Sequence, residues 1–141
     1  MSLTSFVPTP EFEDYKETFK EHFNLERQNG ILVAEMHTRG GDVQWNMELH
    51  RAIWQFFRTV GSDPKNEVMI FTSKGDTWIA GFDNESFARV ENEPAKYSYD
   101  YGVFDGRHML ISLINDIEFP TIGVLPGPGG HTELAMMCDL T

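Results

Sequence analysis

Apolar residues recur along this chain with changing periods, and each period marks its own kind of element. Phe12, Tyr15, Phe19 and Phe23 are spaced by three, four and four. That spacing lines one face of an amphipathic helix over residues 11–23, with Glu and Lys forming a solvated opposite face. Asn24 to Gln28 and Ile31 to Thr38 flank Asn29-Gly30. Asn-Gly suits a turn that needs positive φ at both central residues, so this stretch predicts a hairpin. Arg39-Gly40-Gly41-Asp42 breaks the pattern. Met47 to Val60 then reads as a helix, with Asn46 as N-cap and Ile53, Trp54, Phe57 and Val60 on the buried side. Gly61 and Pro64 end it.

The second half changes character. Val68-Met69-Ile70-Phe71-Thr72 is a continuous run of strand length. Such runs fit strands buried on both faces, as in a parallel sheet. Ser73-Lys74-Gly75-Asp76 turns the chain, and Trp78-Ile79-Ala80 predicts a short return to extended structure. Asp83 to Val90 reads as a short helix, Glu91 to Tyr99 as polar loop, and Tyr101 to Asp116 as a longer helix. Met109, Leu110, Leu113 and Ile114 are the expected inward side of that longer helix, and Pro120 closes it. Thr121 to Leu125 is a second buried-type strand. Pro126-Gly127-Pro128-Gly129-Gly130 excludes regular structure, and His131 to Cys138 looks helical. Strands alternating with helices imply an α/β fold with crossover connections.

Charge narrows the function classes. Of 141 residues, 11 are Lys or Arg and 22 are Asp or Glu, a net charge of −11. A nucleic-acid backbone would be repelled by such a surface, as would anionic lipid. The same balance disfavours a highly phosphorylated ligand. No apolar run approaches the ~20 residues of a bilayer span. The start carries no basic or apolar leader pattern, so no signal peptide is expected and the expected compartment is the cytoplasm. Met1-Ser2-Leu3 reads as an added expression leader. One cysteine, Cys138, excludes an intrachain disulfide and a multi-Cys zinc site. It falls in an apolar stretch and reads as inert packing.

Three stretches could carry chemistry. Gly127-Pro128-Gly129-Gly130-His131-Thr132-Glu133 joins a predicted strand to a predicted helix. Glycines there let backbone approach a ligand, and a helix start offers unpaired N–H groups to developing negative charge. The plain structural reading is a tight turn with Glu133 in the first helical turn. The Gly-Lys-Ser/Thr ending of a phosphate loop is missing. Thr77-Trp78-Ile79-Ala80-Gly81-Phe82-Asp83 is a second strand end running into an acidic cap. Trp45-Asn46-Met47-Glu48-Leu49-His50 places His50 one turn into a helix, where a lone histidine can equally be surface or a satisfied core group. His22, His37 and His108 share no ligand spacing with it, so no metal site is expected.

Taken in order, these stretches resemble the crotonase (enoyl-CoA hydratase/isomerase) superfamily. Gly129-Gly130-His131-Thr132-Glu133-Leu134-Ala135-Met136-Met137-Cys138-Asp139 is similar to that family's Gly-Gly-Gly-Cys-Glu-Leu-Ala-Met-Met-Cys-Asp. Ala80-Gly81-Phe82-Asp83 looks like its Ala-Gly-Ala-Asp, with Val68 to Gly75 as the strand before it. Phe119-Pro120-Thr121-Ile122-Gly123-Val124 is similar to its Lys-Pro-Val-Ile-Ala-Ala-Val. The resemblance covers residues 25–141, which makes residues 1–24 a leader and helix outside the core. It implies a ββα spiral, here its N-terminal half, and an oxyanion hole built from the backbone N–H groups of Phe82 and Gly130. Glu133 matches one of two acid/base glutamates of the hydratases.

The departures point to a smaller branch. Pro126-Gly127 stands where Asn-Gly is usual, Phe82 where hydratases prefer Ala, and His131 where the family has glycine. With Trp45 and His50, the last two features resemble the β-diketone hydrolases of the 6-oxocamphor hydrolase type. Those enzymes split the bond between two carbonyls by a retro-Claisen reaction. The resemblance implies that His131 binds or protonates an enolate oxygen, while Trp45 and His50 line the pocket. It implies no cofactor, and a cyclic diketone as the small-molecule substrate. Under the alternative, hydratase or isomerase action, coenzyme A is the substrate's carrier. The family fold is about twice this long. The hydratases' second glutamate and the hydrolases' water-activating His–Asp pair are expected beyond residue 141. An inactive fragment is the remaining alternative. Half a spiral exposes apolar sheet edges, so a homo-oligomer, trimer or hexamer, is expected over a clean monomer.

Overall fold

The structure, a computed structural model, describes residues 8–141. The expected leader Met1-Ser2-Leu3 lies outside them. Helix α1 spans Phe12–Phe19 and stops four residues short of the expected end. Phe23 instead opens strand β1, Phe23–Gln28. It still reaches the core, stacked on Phe56 with ring centroids 4.3 Å apart. The helical spacing survived because the chain turns at residues 20–22 and presents Phe23 to the same interior.

Strand β2, Ile31–Met36, pairs antiparallel with β1. Asn29 (φ 51°) and Gly30 (φ 78°) hold the two left-handed positions that the hairpin needed. Helix α2, Met47–Gly61, follows the two-residue strand β3, Gln44–Trp45. The Asn46 side chain accepts the Leu49 N–H at 2.7 Å, capping α2. Leu49, Ile53, Phe56, Phe57 and Val60 are fully buried. Trp54, expected inward, is half-buried, because its indole leans across α2 to Asp105.

Strand β4, Val68–Ser73, lies between β2 and β6 (Thr121–Val124), parallel to both, in a sheet of order β1-β2-β4-β6. A central parallel position explains its unbroken apolar run. Trp78-Ile79-Ala80 does not form the predicted strand. Trp78 and Ile79 are bends buried in the core, and pairing waits until β5, Gly81–Phe82, which runs parallel to β3 in a second small sheet.

The expected polar loop over residues 91–99 is helical. Helix α3 covers Asn84–Asn92, α4 covers Pro94–Tyr97 with Pro94 opening its turn, and a π-helical segment covers Ser98–Asp105. Residues 93–99 are exposed or half-buried, so no apolar period announced them. Helix α5, Gly106–Asn115, buries Met109 and Leu113. Leu110 and Ile114 face outward, contrary to the expectation, because only one narrow stripe of α5 meets α2. The last helix, α6, is reduced to Glu133–Met136. The chain then folds back on β6, where the Asp139 carboxylate accepts the Thr121 N–H and hydroxyl, both at 2.8 Å. A Cβ on Gly123 would lie 2.6 Å from the Ala135 carbonyl, so that glycine lets α6 press against β6.

One buried polar cluster ties α1, β1 and the end of α2. Arg27 Nη1 reaches Asp63 Oδ2 at 2.5 Å and Asn66 Oδ1 at 3.1 Å, and the Tyr15 hydroxyl donates to Asp63 at 3.0 Å. Burial pushes the Asp63 carboxyl up, but the Lys65 N–H, Arg27 and Tyr15 outweigh it and hold the group below the usual carboxylate range. A depressed acid stabilises the fold above its unfolded value, and that contribution is lost as pH falls through the folded one. Arg27→Met should cost about 3 kcal/mol, since it strands a buried charge. Urea unfolding at neutral pH measures this, and a change below about 1 kcal/mol would remove the pair from the account of stability.

Candidate active site

Two bends of the chain, residues 76–82 and 127–131, pack backbone against backbone. Trp78 N–H donates to the Pro128 carbonyl at 3.1 Å, and the Trp78 indole donates to the His131 carbonyl at 2.9 Å. A Cβ on Gly129 would overlap the Ile79 amide nitrogen and lie 2.8 Å from the Ile79 carbonyl. Glycine is therefore required by close approach. The Gly130 N–H makes a long 3.4 Å contact with the Ile79 carbonyl, which leaves this donor weakly held.

Phe82 sits directly across from Trp45 in the β3–β5 pair, and the next residue, Asp83, donates its N–H to the Trp45 carbonyl at 2.9 Å. The Phe82 side chain is 57% exposed, with its ring edge toward Phe87. The strand pairing thus sets the Phe82 backbone beside the residue whose indole reaches the other bend. That indole stacks on the His131 ring, centroids 4.0 Å apart and planes 22° apart.

His131 adopts φ 52°, the left-handed region that favours glycine. Its Nδ1 lies 2.6 Å from Glu133 Oε1. An ionised carboxylate only accepts, so Nδ1 carries the proton and Nε2 is left for other work. The Glu133 side chain is half exposed.

His50 meets the edge of Trp45 at 5.4 Å and is stacked on Tyr101 at 3.9 Å. It is buried, and its Nδ1 has no hydrogen-bond partner among the described residues. Burial pulls the imidazole from 6.5 down to about 4, opposed by Asp105 and helped by His131 and Arg51. His50 is therefore neutral at physiological pH. Protonation favours the unfolded chain, so stability is full above pH 6.5 and falls toward pH 4. The expected loss is about 3 kcal/mol over that window. His50→Phe should flatten the slope in denaturant melts at stepped pH, and an unchanged slope would mean that the group titrates normally.

Of the six residues singled out in the sequence, four meet, Trp45, His50 and His131 as a ring cluster with Glu133 tied to His131, while Phe82 and Gly130 lie on the two bends, Phe82 opposite Trp45 and the Gly130 N–H toward the Ile79 carbonyl. Tyr101 was missed. Its hydroxyl accepts the Trp45 indole N–H at 2.7 Å. No local spacing signalled it, because the contact spans 56 residues. Cys138 is buried, and burial pushes its thiol up to about 11. No three His, Cys, Asp or Glu side chains gather as a metal site among the described residues. None of the described helices is long and apolar enough to cross a membrane. An open cavity of about 500 Å³ beside α2 is lined by Arg51, Lys96 and Asp100 among others, and neither His131 nor Glu133 borders it.

Neither a protein-family profile nor a curated protein sequence matches the chain. Solved structures do. A β-diketone hydrolase from the cyanobacterium Anabaena sp. PCC 7120, bound to (S)-3-oxocyclohexyl acetic acid, is 31% identical with a TM-score of 0.79, over 95% of this chain and 52% of that one. An enoyl-CoA hydratase/carnitine racemase from Magnetospirillum magneticum is 25% identical with a TM-score of 0.68, over 83% and 44%. An enoyl-CoA hydratase/isomerase from Mycobacterium paratuberculosis, at 16% identity and a TM-score of 0.74, shares the fold over 85% and 48%. The chain has the fold of the crotonase superfamily that these structures share. It spans about half the length of the structures it matches, and its mixed α/β architecture is that share of the crotonase fold.

Proposed function

We propose that this chain carries the enolate-binding part of a hydrolase that cleaves the carbon–carbon bond between two carbonyls of a cyclic β-diketone. The observation that carries the reading is the His131 ring, stacked on Trp45 and tied to Glu133 beside the Phe82 and Gly130 bends. In the reaction, the oxygen of water bonds to one carbonyl carbon and its proton passes to a base. The tetrahedral oxyanion collapses, the carbon–carbon bond breaks, and its electron pair enters the second carbonyl as an enolate. Protonation at carbon gives a ring-opened keto acid. The Phe82 and Gly130 N–H groups suit the oxyanion, since fixed donors cost no reorganisation when charge develops. With Glu133 holding Nδ1, Nε2 is the His131 nitrogen left to bind or protonate the enolate oxygen. Trp45 and neutral His50 wall the pocket. The base that activates water is assigned by the resemblance to a His–Asp pair beyond residue 141.

The ligand of the Anabaena hydrolase supports this reading, because it pairs a ketone with a carboxylate as such a product does. Hydratase or isomerase action on acyl-CoA is the second reading, favoured by the half-exposed Glu133 at the family's acid/base position. The test offers the protein a bicyclic β-diketone and follows keto acid by mass spectrometry, with retention on immobilised coenzyme A in parallel. Keto acid above the buffer rate is expected where the segment carrying the water-activating base is present. An inert diketone with retention on coenzyme A overturns the hydrolase reading, and failure of both leaves the inactive fragment. The outward Ile114, Val124, Met136 and Leu140 support self-association or a covering subunit, which size-exclusion chromatography would reveal as a species larger than 16.2 kDa.

A further inference from the structure

Tyr101 touches two of the three rings of the cluster. Its hydroxyl oxygen accepts the Trp45 Nε1–H, and its ring covers His50. The edge-on ring of Phe87, 5.5 Å away, seats it from the side of α3. Four residues on, the buried Asp105 pins the π-helical segment to α2, accepting from Arg51 Nε and Trp54 Nε1, each at 3.0 Å. Tyr101 is thus held in place at both ends of its turn. π-Helical turns recur at functional sites because they re-aim side chains that an α-helix would carry elsewhere.

The hydroxyl has one proton and two acceptor positions. Trp45 fills one acceptor position, and the proton has no acceptor among the described residues. Burial raises the phenol above its ordinary value, so it stays protonated at neutral pH. A hydroxyl that already accepts a hydrogen bond is polarised and donates more strongly. The Trp45 indole N–H, by contrast, is spent on Tyr101.

We propose that the Tyr101 hydroxyl is a second hydrogen-bond donor, beside His131, to the negative oxygen of the bound enolate, handing on the polar contact that Trp45 gives to it. The proposal rests on the enolate reading above. It makes Tyr101 a binding group that touches substrate, with Trp45 as its positioning residue.

Cyclohexane-1,3-dione, largely ionised to its enolate at neutral pH, is the probe. It is titrated into ¹⁵N-labelled protein, wild type and Tyr101→Phe, while indole and amide resonances are followed. The Phe variant keeps both ring contacts and loses only the hydroxyl. Wild type should bind with saturable shifts that include the Trp45 indole N–H. Tyr101→Phe should bind at least about tenfold more weakly, the worth of one hydrogen bond to a charged oxygen. A second readout needs no variant: the bound wild type should show a low-field, slowly exchanging Tyr101 hydroxyl proton. Equal affinity in Tyr101→Phe, or a bound wild type without that proton, overturns the role of Tyr101 and leaves the enolate site standing. Failure of wild type to bind the probe overturns both.

Discussion

His131→Gly is expected to fold as well as the parent and to lose at least a hundredfold in diketone ring-opening. Two opposing terms set the stability. The parent holds a residue with a Cβ at φ 52°, and glycine relieves about 1 kcal/mol of that strain. The same change removes the ring stacked at 4.0 Å on Trp45, worth about 1 kcal/mol. The melting temperature should therefore move by no more than a few degrees. Nothing offsets the chemical loss, because a positioned imidazole contributes on the order of 10²–10⁴ to proton transfer. Thermal melts and keto-acid release on the same preparation read both quantities. Retained turnover would take His131 out of the reaction. A large fall in melting temperature would show that the stack outweighs the strain.

Gly129→Ala should behave in the opposite way and cost more than about 4 kcal/mol, the exceptional end for one substitution. The new methyl would meet the Ile79 amide nitrogen, the Ile79 carbonyl at 2.8 Å and Trp78 Cβ at 3.0 Å, none of them a flexible chain end. Relief requires prising the two bends apart, which breaks the hydrogen bonds from Trp78 to Pro128 and His131. Enolate binding should vanish with them. Gly130→Ala, one residue on, is the control: its added methyl meets nothing within 4 Å, so the melting temperature should hardly change. Equal tolerance at both positions would mean that the bends are not locked together.

The sequence showed most clearly those features whose cause is local. Asn29-Gly30 announced its turn because few other pairs adopt two left-handed residues, and Asn46 announced the start of α2 because its side chain caps a backbone three residues away. The buried run at Val68 to Thr72 marked a central parallel strand. The candidate site residues were chosen from a chain of motifs in order rather than from any one of them. What stayed hidden depends on distant partners. Tyr101 matters because of Trp45, 56 residues earlier, and no local period encodes that contact. Phe23 matched a helical face while belonging to a strand. Leu110 and Ile114 fit an inward stripe, but α5 turns them outward, and nothing in their own spacing says what they face.

Trp78 belongs to the first bend and grips the second at two points, through its backbone N–H to Pro128 and its indole to His131. A single rigid aromatic plate therefore acts as a spacer between two loops that would otherwise drift independently. Slow breathing of the main sheet would carry both loops along in step, like two jaws bolted to one bracket. The gauge of the gap between them is then set by bond lengths inside one residue, and it should be among the last dimensions of the molecule to change on warming.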